Sequence, residues 1–160
     1  MTKRLRMIAL LLVLVLCMGA CTQYESEIER LGLDKKFGFS LPENGTMLFD
    51  SFIPIGFNFR EYAVVKYTDM NTFNNSNYEW RALSEENVVE INKALEYHNE
   101  MLISDNEPPI PEQYLPDYAK VKGVRLVDPP NKDGFVNKRK FAYVLLDTEK
   151  LYAYIVIYCP

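Results

Sequence analysis

The chain has 160 residues, 48% hydrophobic, 25% charged and 13% aromatic, a balance that suits one compact domain and excludes disordered, collagen-like and disulfide-stapled chains. Its 18 Lys and Arg against 22 Asp and Glu give a net charge of −4; without residues 1–20, which hold Lys3, Arg4 and Arg6 and no acid, the balance is 15 against 22, or −7. Such a charge provides no general attraction to nucleic acid or to anionic headgroups.

Residues 1–20 read as an export signal. Lys3, Arg4 and Arg6 form a positive segment, Met7 to Leu16 (MIALLLVLVL) is apolar, and Met18-Gly19-Ala20-Cys21 places small residues at its end. As a helix, the run from Met7 to Cys21 spans about 22 Å, short of the ~30 Å hydrocarbon core, so a permanent spanning helix is the weaker reading. Met18-Gly19-Ala20-Cys21 resembles the lipobox of bacterial lipoprotein precursors, with Met18 where Leu is usual. The resemblance implies cleavage before Cys21, lipidation of that cysteine and a protein held on the extracytoplasmic face of the cell membrane. Cys17 fits less well, because the large Leu16 precedes it, and an ordinary signal peptide or an uncleaved anchor is the competing reading. Two acyl chains at ~0.8 kcal/mol per buried CH₂ hold a protein stably on a bilayer. Cys159 is then the lone thiol, which excludes an intramolecular disulfide, and it follows an apolar run as a passive strand-end residue.

Residues 21–36 read as a short tether with up to two helical turns, since Ile28, Leu31 and Leu33 are its only aliphatic side chains and Gly32 sits as a helix stop. Residues 37–160 read as a single α+β domain. Pro42-Glu43-Asn44-Gly45 is a turn signal leading into an apolar stretch over 47–55, and 60–68 (REYAVVKYT) is a strand rich in β-branched and aromatic residues. After a polar loop over 69–77, Ser84 is placed to cap a helix whose first turn carries Glu85 and Glu86. Val88, Ile91, Leu95, His98 and Leu102 recur at helical spacing, widened by Val89, Ala94 and Met101, and predict an amphipathic helix to about Ser104. Pro108, Pro109, Pro111 and Pro116 then exclude helix. Strands are expected over 123–127, 141–147 and 151–158, the last two joined as a hairpin by Thr148-Glu149-Lys150. The predicted architecture is α+β, an antiparallel sheet of four to five strands packed on one long amphipathic helix. Period two puts Tyr152, Tyr154, Val156 and Tyr158 on one face of the last strand, as the outside of a sheet or a ligand-stacking surface.

Catalytic signals are few. The sequence holds no GxGxxG, GxxxxGK[ST], CxxC, HExxH or GxSxG. His98, the only histidine, lies on the apolar stripe and reads as a satisfied core residue. Asp50, Glu61, Asp69 and Glu79 are the candidates for a paired-carboxylate hydrolase. Asp128-Pro129-Pro130-Asn131-Lys132-Asp133 lacks the alternation and closing Glu of an EF-hand and reads as a proline turn. Trp80, the only tryptophan, stands just before the helix cap and reads as a pin for the helix start, with ligand stacking as its functional alternative. The order of REYAVVKYTD, Trp-x-x-Leu at a helix start and the hairpin FAYVLLDTEKLYAYIVIY is loosely similar to small uncharacterised lipoproteins of Gram-positive bacteria, a resemblance that implies a layout and no active site. These features point to a non-enzymatic binding module without cofactor or metal. It would contact a protein, peptide or cell-wall partner through Trp80, Tyr152, Tyr154 and Tyr158, with an immunity or exclusion lipoprotein as a special case. A small envelope hydrolase using paired carboxylates is the alternative.

Overall fold

The β-branched and aromatic runs become strands β1 (Thr46–Ile55), β2 (Asn58–Lys66), β4 (Val121–Val127), β5 (Phe141–Asp147) and β6 (Tyr152–Cys159), joined by a two-residue strand β3 (Arg81–Ala82). The computed structural model describes residues 27–55, 58–74, 78–127 and 140–159. All six strands pair antiparallel in one sheet, in the order β1-β2-β6-β5-β4-β3. The expected count of four to five strands falls short by β3, whose Arg81 and Ala82 are both exposed and pair with Gly123 and Lys122. A dipeptide has no periodicity to betray it, and only tertiary pairing makes it a strand.

Among the described residues four α-helices accompany the sheet: α1 (Glu27–Arg30), α2 (Leu33–Phe37), α3 (Asn71–Asn74) and α4 (Glu85–Ser104). In α4 the Ser84 hydroxyl accepts from the Asn87 amide at 3.2 Å, and the Asn87 side chain accepts from the Ser84 amide, closing a capping box. Ile91, Ala94, Leu95, His98 and Leu102 are buried as the spacing predicts, whereas Val89, assigned to the stripe, is exposed. The proline-rich segment straps this helix: Ile110 is buried, its amide donates to Asn99 Oδ1 at 2.9 Å, and the Tyr62 hydroxyl donates to the Tyr114 carbonyl.

Alternation along the strands divides the core in two. Tyr62, Val64, Tyr143, Leu145, Tyr154 and Val156 face α4, and Ala63, Val65, Val144, Ala153, Ile155 and Ile157 face the other way. That second face is covered by Ile28, Leu31, Leu33, Phe37 and Phe39, all at most 9% exposed. The segment from Ile28 to Lys36, expected as part of a tether, is therefore built into the domain. Gly32 and Gly38, at φ 60° and 66°, turn the chain sharply enough that two helices of four and five residues aim their apolar side chains at the sheet. Segments this short carry too few apolar positions for periodicity to reveal. No described helix is long and apolar enough to cross a membrane.

Gly45, just before β1, marks a close approach. A Cβ there would lie 2.4 Å from Val65 Cγ1 and 2.8 Å from Tyr67 Cε1, and both neighbours are buried. Gly45→Ala is expected to lower the unfolding free energy by roughly 1–3 kcal/mol, read as a fall in the denaturant midpoint at constant slope.

Candidate functional site

Strand β2 interrupts its apolar run with two consecutive charges, Arg60 and Glu61, which the strand period sends to opposite faces of the sheet. Both are buried, at 8% and 6% exposure. Each is the centre of a polar cluster.

On the α4 face the Arg60 guanidinium lies over the Tyr97 ring, 3.6 Å from its centroid, and 4.5 Å from that of Tyr158. Its Nε and Nη1 atoms are buried and have no hydrogen-bond acceptor among the described residues. Beside it His98 Nε2 and Ser51 Oγ share a hydrogen bond at 2.9 Å. Burial, and next the Arg60 charge, push the His98 pKa down to about 4, so the imidazole is neutral at physiological pH. His98 is thus the satisfied core residue its position predicts.

The aromatic layer continues across the sheet. Tyr158 stacks on Phe141 with centroids 5.0 Å apart and an interplanar angle of 14°, and the Arg125 guanidinium lies 4.9 Å from the Phe141 centroid. Arg125 donates to Glu90 from Nε at 3.0 Å and from Nη2 at 3.2 Å. The Tyr143 hydroxyl also donates to Glu90, and Asn87 Nδ2 donates to Tyr143 at 2.9 Å. A groove of about 430 Å³ between β3 and the start of α4 opens over this network. Its exposed charges, Arg81 and Glu79, are paired with each other.

On the opposite face Glu61 stands beside Phe52 in register and Asp50 beside Ala63, so the two carboxyls are diagonal neighbours on adjacent strands. Asp50 Oδ2 accepts from Arg30 Nη2 at 2.9 Å. Burial, reinforced by Asp50 and opposed by Lys36 and Arg30, raises the Glu61 pKa to about 7. Of the four expected carboxylates the fold thus joins these two. Asp69 is exposed and accepts from the Asn71 amide at 2.8 Å, and the exposed Glu79 is the partner of Arg81.

Of the residues expected to meet a partner, Trp80 turns inward. Its Nε1 donates to the Phe73 carbonyl at 3.2 Å and its ring meets Phe39 and Phe73 edge-on. Tyr154 is fully buried and has no surface to offer, while Tyr152 and Tyr158 are half-buried. The tyrosine face is an internal layer, because α4 covers it. Sequence reasoning missed Arg60 and Tyr97; the signals were a charge inside an apolar strand and an aromatic on the polar side of an amphipathic helix. Cys21, the 128–133 turn and the Cys159 side chain lie outside the described residues. Among the described residues no group of three or more His, Cys, Asp or Glu is arranged to hold a metal ion. Comparison with protein-family models, with curated proteins and with solved structures found no match.

Proposed function

We propose that this chain is a lipoprotein anchored through Cys21 on the extracytoplasmic face of the cell membrane, and that its domain is a non-enzymatic binding module centred on Arg60. The observation that supports binding is a buried guanidinium that lacks an acceptor and is clamped by Tyr158 and by Tyr97, which is 40% exposed. Arg and Tyr together are the side chains that most often anchor recognition surfaces. The lipobox-like Met18-Gly19-Ala20-Cys21 supports the address. The partner is a protein, peptide or cell-wall polymer, and an immunity or exclusion lipoprotein is one such case.

Cys21→Ser is expected to move the protein from the membrane to the soluble fraction and to remove the acyl mass from its N-terminal peptide. A wild-type protein recovered soluble and unmodified would overturn the anchor. A photo-crosslinker at position 97 is expected to capture one dominant partner in intact cells, with capture lost in Arg60→Met.

A second reading rests on the Asp50–Glu61 pair, in which a carboxyl protonated near neutrality stands beside an arginine-paired carboxylate, the pattern of a general acid with its anionic companion. Under that reading Glu61→Gln abolishes glycan hydrolysis and leaves partner capture intact.

A further inference from the structure

We infer that the Arg60 cluster is a receptor for a carboxylate group, an assignment that rests on the reading of Arg60 as a recognition centre and names the chemistry of its ligand. Buried charges are almost always paired, because an isolated ion pays a desolvation cost that nothing returns. Arg60 departs from that rule, with two of its three nitrogens buried and without an acceptor among the described residues; the other buried ion left partly unmet, Asp147, has its Oδ1 bonded to the Glu149 and Lys150 amides and only its Oδ2 unpartnered.

The same sheet face supplies the comparison. Arg60, Tyr158, Phe141 and Arg125 form a row, two stacked rings with a guanidinium at each end, from β2 through β6 and β5 to β4. At one end of that row Arg125 receives both oxygens of Glu90, the geometry in which a planar guanidinium binds a carboxylate best. At the other end Arg60 has the aromatic support and no Glu. The missing group is the one that the fold itself provides at the equivalent place.

The surroundings select a single negative charge. His98 is uncharged and already bonded to Ser51, so among the described residues Arg60 is the only cation of the cluster, enough for a planar monoanion and too little for a phosphate dianion, which is usually met by several donors. Tyr97 provides the approach. Its ring, 40% exposed, lies over the guanidinium, so a turn of that side chain would open the cluster on its solvent side.

The test is a titration of the full chain in detergent micelles, following the Arg60 Nε–H resonance, identified by its absence in Arg60→Met. The probes are sodium acetate, N-acetyl-alanine and N-acetyl-alaninamide at constant ionic strength, with sodium phosphate for comparison. Saturable shifts with Kd of roughly 1–10 mM are expected for both carboxylates and none for the amide. Arg60→Met should abolish them while keeping or raising Tm, since it removes an unpaired buried charge. Arg60→Lys should weaken binding about tenfold, because a point charge cannot form the fork. Equal affinities for the two carboxylates identify a small acid as the ligand source, and a preference for N-acetyl-alanine identifies a peptide carboxyl terminus. Binding of the amide as tightly as the acid, tighter binding of phosphate, or no saturation up to roughly 100 mM acetate would overturn the assignment. Arg60-dependent crosslinking without carboxylate binding would sink this inference and leave the binding module standing. Carboxylate binding without any captured macromolecule would do the reverse.

Discussion

Leu31→Ala is expected to lower the unfolding free energy by roughly 3 kcal/mol, although Leu31 lies in a polar segment only ten residues beyond Cys21. Leu31 is fully buried, in one cluster with Leu33, Phe37 and Phe39 and with Val65, Val144 and Ile155 of the sheet. Truncating it removes apolar contact and leaves a void that α2, held between two left-handed glycines, and α1 before it cannot easily close. A residue of a solvated tether would change stability by less than about 0.5 kcal/mol. Urea unfolding separates the two cases: a midpoint within error of wild type would mean that these helices do not cover the sheet in solution. A large fall would show that Leu31, ten residues beyond Cys21, is packed against the sheet in solution.

Glu61→Gln and His98→Gln are expected to change the pH dependence of stability in opposite directions. Glu61 holds its proton in the folded state up to about pH 7 against an ordinary value of 4.5, so between these values the folded chain binds more protons and its stability falls as pH rises. His98 behaves conversely, with a folded pKa of about 4 against 6.5. There the unfolded chain binds more protons, and stability rises with pH across that window. Each group alone is worth on the order of 3 kcal/mol across its window. From about pH 4.5 to 6.5 the two slopes oppose each other in the wild type. The stability of Glu61→Gln relative to wild type should therefore grow as pH goes from 4.5 to 8, and that of His98→Gln should shrink as pH goes from 4 to 6.5. Denaturant midpoints of the three proteins across this range decide the matter. Flat difference curves would mean that Glu61 and His98 titrate as exposed groups.

Much of the fold was legible from local patterns. Ser84 announced the start of α4 through its capping chemistry, the prolines announced its end, and apolar, β-branched and aromatic runs located five of the six strands, with period two sorting the faces of the last. What escaped was short. β3 exists only because Arg81 and Ala82 find Gly123 and Lys122, and α1 and α2 exist only because a sheet face is there to receive Leu31 and Phe37. The site was less legible than the fold. Tyr152, Tyr154 and Tyr158 were correctly placed on one face of β6, but a strand in the middle of a sheet has no outside until the layers above and below it are known.

By itself the sequence determined the export-signal pattern, the helix with its cap, the hairpin and the alternation of the strands, because each depends on residues within a few positions of one another. The tertiary structure alone decided that both sheet faces are covered, that Asp50 meets Glu61, and that Arg125 finds Glu90 while Arg60 finds no acid among the described residues. Those outcomes depend on strand order, register and helix packing, which bring together side chains from distant parts of the chain, such as Arg60 and Tyr158, and the electrostatics of a buried charge follow from such neighbours rather than from its own segment.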